Sequence, residues 1–575
     1  MPVEPAVLSP AQARPPPRPR TETGRALPPL LPVLLPLLVA AVVTGVLFAW
    51  WFPPAPAGGE APVARFTDVT IVAGLGGMVT RPAAANAPTT LGGGVVVFDY
   101  NADGKPDLLF VRATGWPGEE PAPRRANRGS LTLYHNDGTG HFTDVTAMSG
   151  LSAELRGMTA VAGDFDGDGL PDLFVTCVGA NHLFHNRGHG QFEDVTAQSG
   201  VGGDDNTWST GAAWIDIDGD GRPDLVVCHY ARWPRDMDLR AALAGGAGGL
   251  AGAFPTVYRN VDGARFVRVT DGAGLREADR QTAQPVPKAL AVVPVDANGD
   301  GKLDLLFTYA ASGAALFINQ GNGAFRRWSG GTERRQEGAA AGLYSVSLPL
   351  VDESSGRFAA LRGAVGAGAA AGPEAVGELD PKLGVALLDY DLDGRLDIFA
   401  GNGRAETAPS RLERGRDLAT ELTLRWNRGD GWIEAPRAST GSGNWWARPI
   451  AARGVAAADF DGDGDPDVII AQSDGPPRLL RNDQRIGLPW LQIALVAKRG
   501  GRGADGARVE VRTPRRVFVQ TMTPALGLFA QSDSTLTFGL GDDARVREIV
   551  VRWPDGTRQA VKPPGVNRKM TIIEP

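Results

Sequence analysis

The sequence contains very little cysteine, with only Cys177 and Cys228 among its 575 residues. Two cysteines cannot build the disulfide framework that stabilises small secreted domains. Both lie in apolar runs that follow acidic loops, so buried thiols are favoured over a disulfide or a reactive thiol. The stability of the fold is therefore expected to come from packing and from bound ions.

Recognisable catalytic motifs are also missing. The chain has no G-x-S-x-G elbow, no Walker loop and no H-E-x-x-H pattern. The histidines His182, His185 and His189 are spaced along a strand and a turn, so they should not share the face that a zinc site needs. A binding protein without catalysis is favoured, and a hydrolase or lyase acting on polysaccharide stays open as the alternative.

What the sequence has in excess is one acidic nine-residue loop, which occurs six times. Its clearest copy, DFDGDGLPD, runs from Asp164 to Asp172. Every copy has Asp or Asn at positions 1, 3, 5 and 9 and Gly at position 6. Side chains two residues apart on a tightly curled backbone can converge on one point, together with the carbonyl of position 7. Hard oxygen ligands in that number favour calcium, so we predict about six Ca²⁺ sites.

The predicted metal ligands include position 7 of each loop, which acts through its carbonyl. In chain order they are Asp99, Asn101, Asp103, Lys105 and Asp107; Asp164, Asp166, Asp168, Leu170 and Asp172; Asp216, Asp218, Asp220, Arg222 and Asp224; Asp296, Asn298, Asp300, Lys302 and Asp304; Asp389, Asp391, Asp393, Arg395 and Asp397; and Asp459, Asp461, Asp463, Asp465 and Asp467.

An EF-hand is the main rival interpretation of these loops. It requires a bidentate Glu at position 12 and a helix on either side. Position 12 is held by side chains that cannot bind a metal, namely Phe110, Val175, Val227, Phe307, Ala400 and Ile470. The flanking runs, such as VVVFD and DLLFV around the first loop, are short and apolar and are typical of buried strands. The predicted unit is therefore strand, calcium loop, strand.

Charge supports the same interpretation. Positions 1, 3, 5 and 9 of the six loops carry 22 carboxylates in all. Crowding three or four anions together costs several kcal/mol per loop unless a cation intervenes. Six divalent ions would change the formal net charge from −7 to +5. The acidic balance thus points to metal sites, and nothing in it predicts a nucleic-acid partner.

The N-terminal region predicts export. Residues 1–29 are rich in Pro and Arg and should form a disordered cytoplasmic tail, followed by 23 uncharged residues at 30–52. That run is long enough to cross a bilayer as one transmembrane helix, which places the bulk of the chain in the periplasm or outside the cell. A membrane anchor is favoured over a cleaved signal peptide, which would give a secreted protein. Residues 53–62 form a linker.

Residues 63–484 contain a repeat that predicts a β-propeller. Each calcium loop is followed by a hairpin signature such as LFHNRGHGQFEDVT at 183–196, so that one repeat comprises four antiparallel strands. The segment Phe66–Thr70 (FTDVT) matches the end of such a hairpin although no calcium loop precedes it, and the last repeat lacks its final strand. We therefore expect this segment to complete the last repeat. Seven blades are favoured over six, with a degenerate blade at 343–363.

These loops resemble the calcium-binding FG-GAP/VCBS repeats of integrin α-subunit propellers and secreted bacterial proteins, and the resemblance implies the same ligand roles for the loop residues given above. From 488 to 575 the segments alternate apolar and polar residues, which predicts a small β domain. Its stretches GADGARVEV, GLFAQSDSTLTFGLGD and VRWPDG resemble the ASPIC/UnbV domain, with Phe529 where relatives tend to have Tyr. The combination is similar to the cartilage acidic protein family.

Loop lengths predict where a partner binds. In a four-stranded antiparallel sheet, the first and third turns lie at one end, and the second turn and the links between sheets lie at the other. The acidic loops and hairpin turns are constant in length, whereas the other connections vary, so we expect a protein or glycan partner on the variable face. The candidate partner residues are Asp204, Asp205, Asn206, Trp208, Asn444, Trp445, Trp446 and Arg448. The alternative for these Trp residues is packing across the channel.

Overall fold

The structure is a computed structural model. It describes residues 60–77, 92–112, 130–152, 154–237, 250–276, 288–309, 313–328, 384–401, 419, 421–429, 432–439, 448–473, 475–484, 487–497, 504–523 and 529–575.

The described part of the chain is all-β, with two short helices. The strands of the first half are β1 (Ala64–Asp68), β2 (Gly94–Phe98), β3 (Asp107–Val111), β4 (Leu131–Asn136), β5 (Phe142–Asp144), β6 (Gly157–Gly163), β7 (Asp172–Cys177), β8 (His182–Asn186), β9 (Phe192–Asp194), β10 (Thr207–Ile215), β11 (Asp224–Arg232), β12 (Thr256–Asn260), β13 (Phe266–Arg268), β14 (Ala289–Val295), β15 (Asp304–Tyr309), β16 (Gly313–Asn319) and β17 (Phe325–Arg327). The helices are α1 (Thr146–Ser149) and α2 (Thr196–Ser199).

The second half continues with strands β18 (Gly384–Leu388), β19 (Asp397–Gly401), β20 (Thr423–Asn427), β21 (Trp432–Glu434), β22 (Arg437–Ser439), β23 (Ala452–Ala458), β24 (Asp467–Gln472), β25 (Arg478–Asn482), β26 (Trp490–Val496), β27 (Arg508–Arg512), β28 (Val517–Thr521), β29 (Ala530–Gln531), β30 (Leu536–Gly539), β31 (Glu548–Arg552), β32 (Arg558–Val561) and β33 (Arg568–Ile573).

Each acidic loop joins the first two strands of a repeat sheet. In the second repeat, Gly163 on β6 pairs with Asp172 on β7, so the loop closes an antiparallel hairpin. The strand orders β6-β7-β8-β9, β10-β11-β12-β13, β14-β15-β16-β17 and β18-β19-β20-β21 follow the sequence, and β2-β3-β4-β5 has β29 added at its edge. The predicted unit of strand, acidic loop and strand is confirmed, and the described flanks of these loops are strands.

The last repeat is completed by β1, the first strand of the described residues. Its sheet has the order β22-β1-β25-β24-β23, and β1 pairs antiparallel with β25 through Phe66 opposite Asn482. The Phe66 side chain is fully buried and lies edge-on to Phe399 of the preceding sheet, with ring centroids 6.0 Å apart. The predicted pairing of this N-terminal segment with the last repeat is confirmed.

The repeat sheets pack in series through their first strands, in the order β14, β10, β6, β2, β23 and β18. An apolar cluster fills each junction; the cluster between the second and third repeats contains Val161, Phe174 and Trp214. Small residues permit this approach, since a Cβ at Gly163 would overlap the Trp214 ring. The two sheets at the ends of the series, β14 to β17 and β18 to β21, precede and follow residues 329–383 in the chain. The degenerate blade predicted at 343–363 therefore lies outside the described residues.

The C-terminal region forms two further sheets, with orders β30-β26-β33 and β28-β27-β31-β32. Alternating residues of these strands meet in one apolar core that includes Leu491, Val509, Phe518 and Trp553. Among the described residues, no helix is both long and apolar enough to cross a bilayer. The tail at 1–29 and the segment at 30–52 lie outside the part of the chain that the structure describes.

Candidate metal centres

The first Asp of each loop organises the backbone around it. Asp164 follows β6, and its carboxylate accepts N–H groups from Gly167 (2.7 Å), Asp168 (3.2 Å) and Gly169 (3.0 Å). Gly169, at loop position 6, has φ of 90°, a conformation that is strained for residues with a side chain. The bond from position 6 to position 1 recurs at Asp99, Asp216, Asp296, Asp389 and Asp459. The sequence therefore places this carboxylate at the centre of a tight turn.

The last Asp of each loop is buried and held by two backbone donors. Asp172 accepts the N–H of Phe165 (3.1 Å) and the N–H of Asn186 (2.8 Å), which come from its own loop and from the following hairpin. The same pair of donors reaches Asp107, Asp224, Asp304, Asp397 and Asp467. Position 9 is thus fixed by both hairpins of the repeat before any ion binds.

The predicted ligands converge in space. Ligand atoms lie within 4.8 Å of one another in the groups Asp99/Asp103/Asp107, Asp164/Asp166/Asp168, Asp166/Asp172/His185, Asp216/Asp218/Asp224 and Asp389/Asp391/Asp397. The last group is buried at all three positions. Burying three mutually close carboxylates is unfavourable without a positive charge, so these groups have the chemistry of a cation site.

The raised pKa values of the loop carboxylates also support a cation site. Burial raises the pKa of Asp107 to about 8, and it raises the pKa of Asp224 and of Asp304 to about 7. For Asp389 and Asp397, burial and then the neighbouring carboxylates raise the pKa well above its ordinary value. A divalent cation held between these oxygens would oppose both causes, because it stabilises the charged form of every carboxylate it touches.

The sixth loop gives a direct test of whether the residues fit a cation. The Oδ1 atoms of Asp461 and Asp465 are buried and have no hydrogen-bond partner. Burial and then the Asp463 side chain raise the pKa of Asp465. The sequence assigned position 7 a role through its carbonyl, but in this loop its side chain adds a fifth carboxylate. Oxygens left bare in this way fit an oxygen-liganded divalent ion such as Ca²⁺.

A side chain that the sequence analysis did not assign approaches position 3 of several loops. It is the residue before the hairpin Asn. His185 Nδ1 lies 3.3 Å from Asp166 Oδ2, and Arg259 Nε lies 3.6 Å from Asp218 Oδ2. In the fifth repeat, Trp426 donates its indole N–H to Asp391 at 2.8 Å. The loops thus differ in the group that faces their ligands, although their ligand spacing is the same.

The hairpin Asn is a second residue that the sequence analysis missed. The Nδ2 of Asn186 donates to the carbonyl of Pro171 in its own repeat (3.1 Å) and of Tyr100 in the preceding repeat (2.8 Å). Asn136, Asn260 and Asn482 reach the preceding repeat in the same way, through Phe460, Phe165 and Tyr390. The signal was present as the repeated N of the hairpin signature, and in these four repeats the residue ties the loop to its neighbour.

This role predicts a large effect for Asn260→Ala. The substitution leaves the buried carbonyls of Phe165 and Pro223 without their donor, so we expect a loss of about 2–4 kcal/mol in the free energy of unfolding. Asn322→Ala is the matched control, because Asn322 is an exposed hairpin residue and should change stability by about 0.5 kcal/mol or less. Chemical denaturation of both variants measures the difference; equal stabilities would contradict the role.

The predicted partner residues do not form one exposed patch. Trp208 is fully buried on β10, with its ring centroid 4.4 Å from that of Tyr230, and Asn206 is also buried. This corrects the expectation of a partner contact at Trp208 in favour of packing, since the ring lies in an apolar cluster with Phe529 of the C-terminal region. Asp204, Asp205 and Arg448 are partly or fully exposed. Residues 444–446, with Trp445 and Trp446, lie outside the described residues.

The C-terminal region inserts a strand among the first strands of the repeats. β29 pairs in parallel with β2, through Ala530 opposite Val95. The Gln531 side chain accepts the Ala162 N–H (2.8 Å) and donates to the Ala162 carbonyl (3.3 Å), as a neighbouring strand would. The Asp533 N–H donates to the Ala457 carbonyl at 3.1 Å. The Ala-Gln-Ser-Asp run therefore connects the first, second and sixth repeats.

The same region covers acidic loops. Gln492 Nε2 donates to Asp459 Oδ2 at 2.8 Å, and the Gly541 N–H donates to the Leu392 carbonyl at 3.0 Å. A Cβ at Gly464 would overlap the Trp490 ring, so the sixth loop and β26 are in close contact. The C-terminal region thus packs on the loop face of the repeats.

Comparison with protein families assigns both regions. Residues 124–175, 164–227 and 389–470 match the model of the FG-GAP-like repeat, and residues 497–575 match the model named ASPIC and UnbV. The chain carries FG-GAP-like repeats and an ASPIC/UnbV domain. The resemblance predicted from the loops and from the C-terminal segments is confirmed, and the whole C-terminal region that contains this match, residues 488–575, is called the ASPIC/UnbV domain below.

Curated relatives are distant. Cartilage acidic protein 1 from Homo sapiens is 28% identical over 187 residues, which cover 31% of this chain and 25% of that protein. The Mus musculus protein is 26% identical over 208 residues, covering 34% and 29%. The chain therefore aligns with less than a third of the length of these relatives.

Solved structures are more distant still. An Agrocybe aegerita lectin, from a study of recognition of non-reducing terminal N-acetylglucosamine, is 14% identical with a TM-score of 0.33, covering 69% of this chain and 81% of that one. The extracellular domain of a putative hybrid two-component system from B. thetaiotaomicron is 11% identical with a TM-score of 0.33, covering 68% and 38%. Neither likeness is close enough to carry an argument.

Proposed function

We propose that the FG-GAP-like repeats form a calcium-stabilised β-propeller that binds a protein or glycan partner on the face opposite its acidic loops. The observation that carries the proposal is the position of the ASPIC/UnbV domain, which covers acidic loops through Gln492, Trp490 and Gly541. The series of sheets packed through their first strands supports a propeller. The opposite face carries the connections that vary in length.

Calcium is the proposed cofactor at about six loops. Within each loop, the carboxylates at positions 1, 3, 5 and 9 and the carbonyl of position 7 would hold the ion, with Asn101 and Asn298 replacing one carboxylate in the first and fourth loops. The bound ion supplies positive charge that lets these buried carboxylates remain ionised. The chain's own donors, such as the N–H groups that reach Asp164 and Asp172, orient the oxygens beforehand.

The proposed partner surface has a charged rim over an aromatic layer. Arg232 Nη2 lies 3.0 Å from Asp204 Oδ2, and Arg235 Nη2 lies 3.3 Å from Asp205 Oδ1. These arginines are half-exposed or more, so their guanidinium groups can also reach a partner. The buried rings of Trp208 and neighbouring residues hold the rim in place from below. Charged donors and acceptors on a rigid support suit recognition of a protein or a glycan.

Binding of the immobilised full chain to a glycan array and to extracellular proteins from its source tests this surface. We expect a ligand whose binding falls at least tenfold in the double variant Arg232→Ala/Arg235→Ala and is unchanged in Arg558→Ala, an exposed arginine of the ASPIC/UnbV domain. Release of products from a polysaccharide by the wild type would instead establish the hydrolase or lyase alternative. If the two variants bound the ligand equally well, Arg232 and Arg235 would not be part of the partner site.

We further propose that residues 30–52 anchor the chain in a membrane, with the repeats on the periplasmic or extracellular side. The support is the uncharged run of 23 residues preceded by an Arg-rich tail. Calcium is abundant outside cells, which agrees with the proposed cofactor. Extraction of membranes with carbonate checks the anchor, because a cleaved and secreted chain would be recovered without detergent.

A further inference from the structure

The first strands of the repeats share an irregular position. The antiparallel register shifts around Met158 on β6, Thr210 on β10, Leu290 on β14 and Arg453 on β23. Each of these residues precedes the first Asp of its loop by six positions, and Gly93 holds that place in the first repeat. A bulge of this kind turns one side chain away from the regular alternation of the strand. The first strands thus present one layer of bulge residues.

The bulge layer has an apolar side and a charged side. Met158 and Leu290 pack in one buried cluster with Phe529, the residue before β29 of the C-terminal region. Arg453 lies beside Gly93, where a Cβ would be 3.8 Å from Arg453 Cγ. A Cβ on the next residue, Gly454, would overlap the carbonyl oxygen of Phe529. The backbone that follows Arg453 is therefore in close contact with Phe529. One guanidinium group is therefore enclosed together with a layer whose other side chains carry no charge.

Arg453 is buried with only part of its hydrogen-bonding capacity satisfied. Its side chain is fully buried, and its Nη1 donates to the Ala452 carbonyl at 2.7 Å. Its Nε and Nη2 atoms have no hydrogen-bond partner, and no carboxylate pairs with it among the described residues. Burial lowers the pKa of this guanidinium to about 9, so it is still charged at neutral pH. A buried charge without a partner is strongly unfavourable.

The geometry of the two Arg453 donors that have no hydrogen-bond partner suits a carboxylate. Nε–H and Nη2–H form one edge of the planar guanidinium, and this edge can donate two parallel hydrogen bonds to the two oxygens of a carboxylate. A chloride ion could not accept both bonds along the same directions. The absence of a side chain at Gly93 leaves open one of the positions next to Arg453.

We propose that Arg453 binds a small carboxylate, or the carboxylate group of a larger ligand, at its buried position beside Gly93 on the first strands of the repeats. The ligand's negative charge neutralises the guanidinium, and its two oxygens accept the Nε and Nη2 hydrogens. The site is separate from the acidic loops and does not depend on calcium. Its failure would leave the calcium proposal standing, and failure of calcium binding would leave this site standing.

Thermal unfolding of the purified full chain in saturating calcium tests the site, with sodium formate as the probe and ionic strength held constant. We expect formate to raise the Tm by a few degrees along a saturable curve, because a ligand that binds only the folded state stabilises it by mass action. Sodium chloride and sodium sulfate are parallel titrations. Formate should half-saturate at the lowest concentration, because chloride offers a single acceptor and sulfate, which also has paired oxygens, is larger.

Two variants assign the effect to the residue. Arg453→Gln should abolish the formate response, and Arg453→Lys, which keeps a charge without the paired donors, should weaken it by tenfold or more in half-saturating concentration. Arg558→Gln should respond as the wild type does. If Arg453→Gln does not fold, the wild type and the Lys variant decide. A wild-type Tm that is insensitive to formate, or a response that all four chains share, would overturn the proposal, as would tighter binding of chloride or sulfate.

Discussion

We expect removal of calcium to lower the Tm of the full chain by roughly 10 °C or more, and added calcium to restore it. An ion that binds only the folded state stabilises it by about 2.7 kcal/mol per site at a hundred times its Kd. Several such sites exist if the acidic loops act alike. Without ions, the carboxylates of each loop are buried away from water and repel one another, and burial followed by repulsion raises the pKa of Asp389 and of Asp397.

Differential scanning calorimetry with a chelator, and then with excess calcium, measures the effect. Magnesium should restore less of the Tm, because it demands a smaller and more regular set of oxygens. The double substitution Asp166→Ala/Asp168→Ala in the second loop should reproduce part of the decrease in Tm. Asp137→Ala, at an exposed hairpin position, should not lower the Tm. If chelation left the Tm unchanged and metal analysis found no calcium in the native protein, the proposed cofactor would have to be abandoned.

The loops could be predicted from sequence because their interactions are local. Every ligand of a loop lies within nine residues, and the turn is enforced by the bonds to the first Asp. The pairing of β1 with β25 joins distant residues, but the repeated FTDVT pattern disclosed it. Repetition thus made one long-range contact visible.

Contacts without a repeated pattern were not predictable in this way. Asn186 was visible as a repeated letter, but its partner carbonyl at Tyr100 lies 86 residues away and carries no side-chain signal. Trp208 was placed on the partner surface because its loop varies in length. The structure buries it in a cluster completed by Phe529, which lies on a segment of another domain. Exposure is set by what packs on a residue, and local sequence does not contain that information.

The ASPIC/UnbV domain explains why the six loops are not equivalent. Gln492 donates to Asp459, so an atom of the domain directly contacts a predicted metal ligand of the sixth loop. The fifth loop is covered as well, since a Cβ at Gly394 would overlap the Phe518 ring. A glycine at position 6 is therefore required for two separate reasons. One is the backbone conformation that all six loops share, and the other is space for the domain, which only some loops need.

Gly464→Ala separates these two requirements and should destabilise the chain by roughly 3 kcal/mol or more. The matched variant is Gly301→Ala, at the same position of the fourth loop. Both glycines have positive φ, 103° and 84°, and both donate their N–H to the first Asp of their loop. Nothing lies within 4 Å of a Cβ at Gly301, so that variant bears only the conformational cost of about 1–2 kcal/mol.

The extra loss in Gly464→Ala should come from displacement of Trp490, and a double-mutant cycle identifies it. In a Trp490→Ala background the obstructing ring is gone, so adding Gly464→Ala should cost no more than Gly301→Ala costs in the wild type. Chemical denaturation of these variants in saturating calcium gives the free energies of unfolding. If the cost of Gly464→Ala stayed the same with and without the Trp490 ring, displacement of that ring would contribute nothing to the cost, and the requirement for space at position 6 of the sixth loop would be wrong.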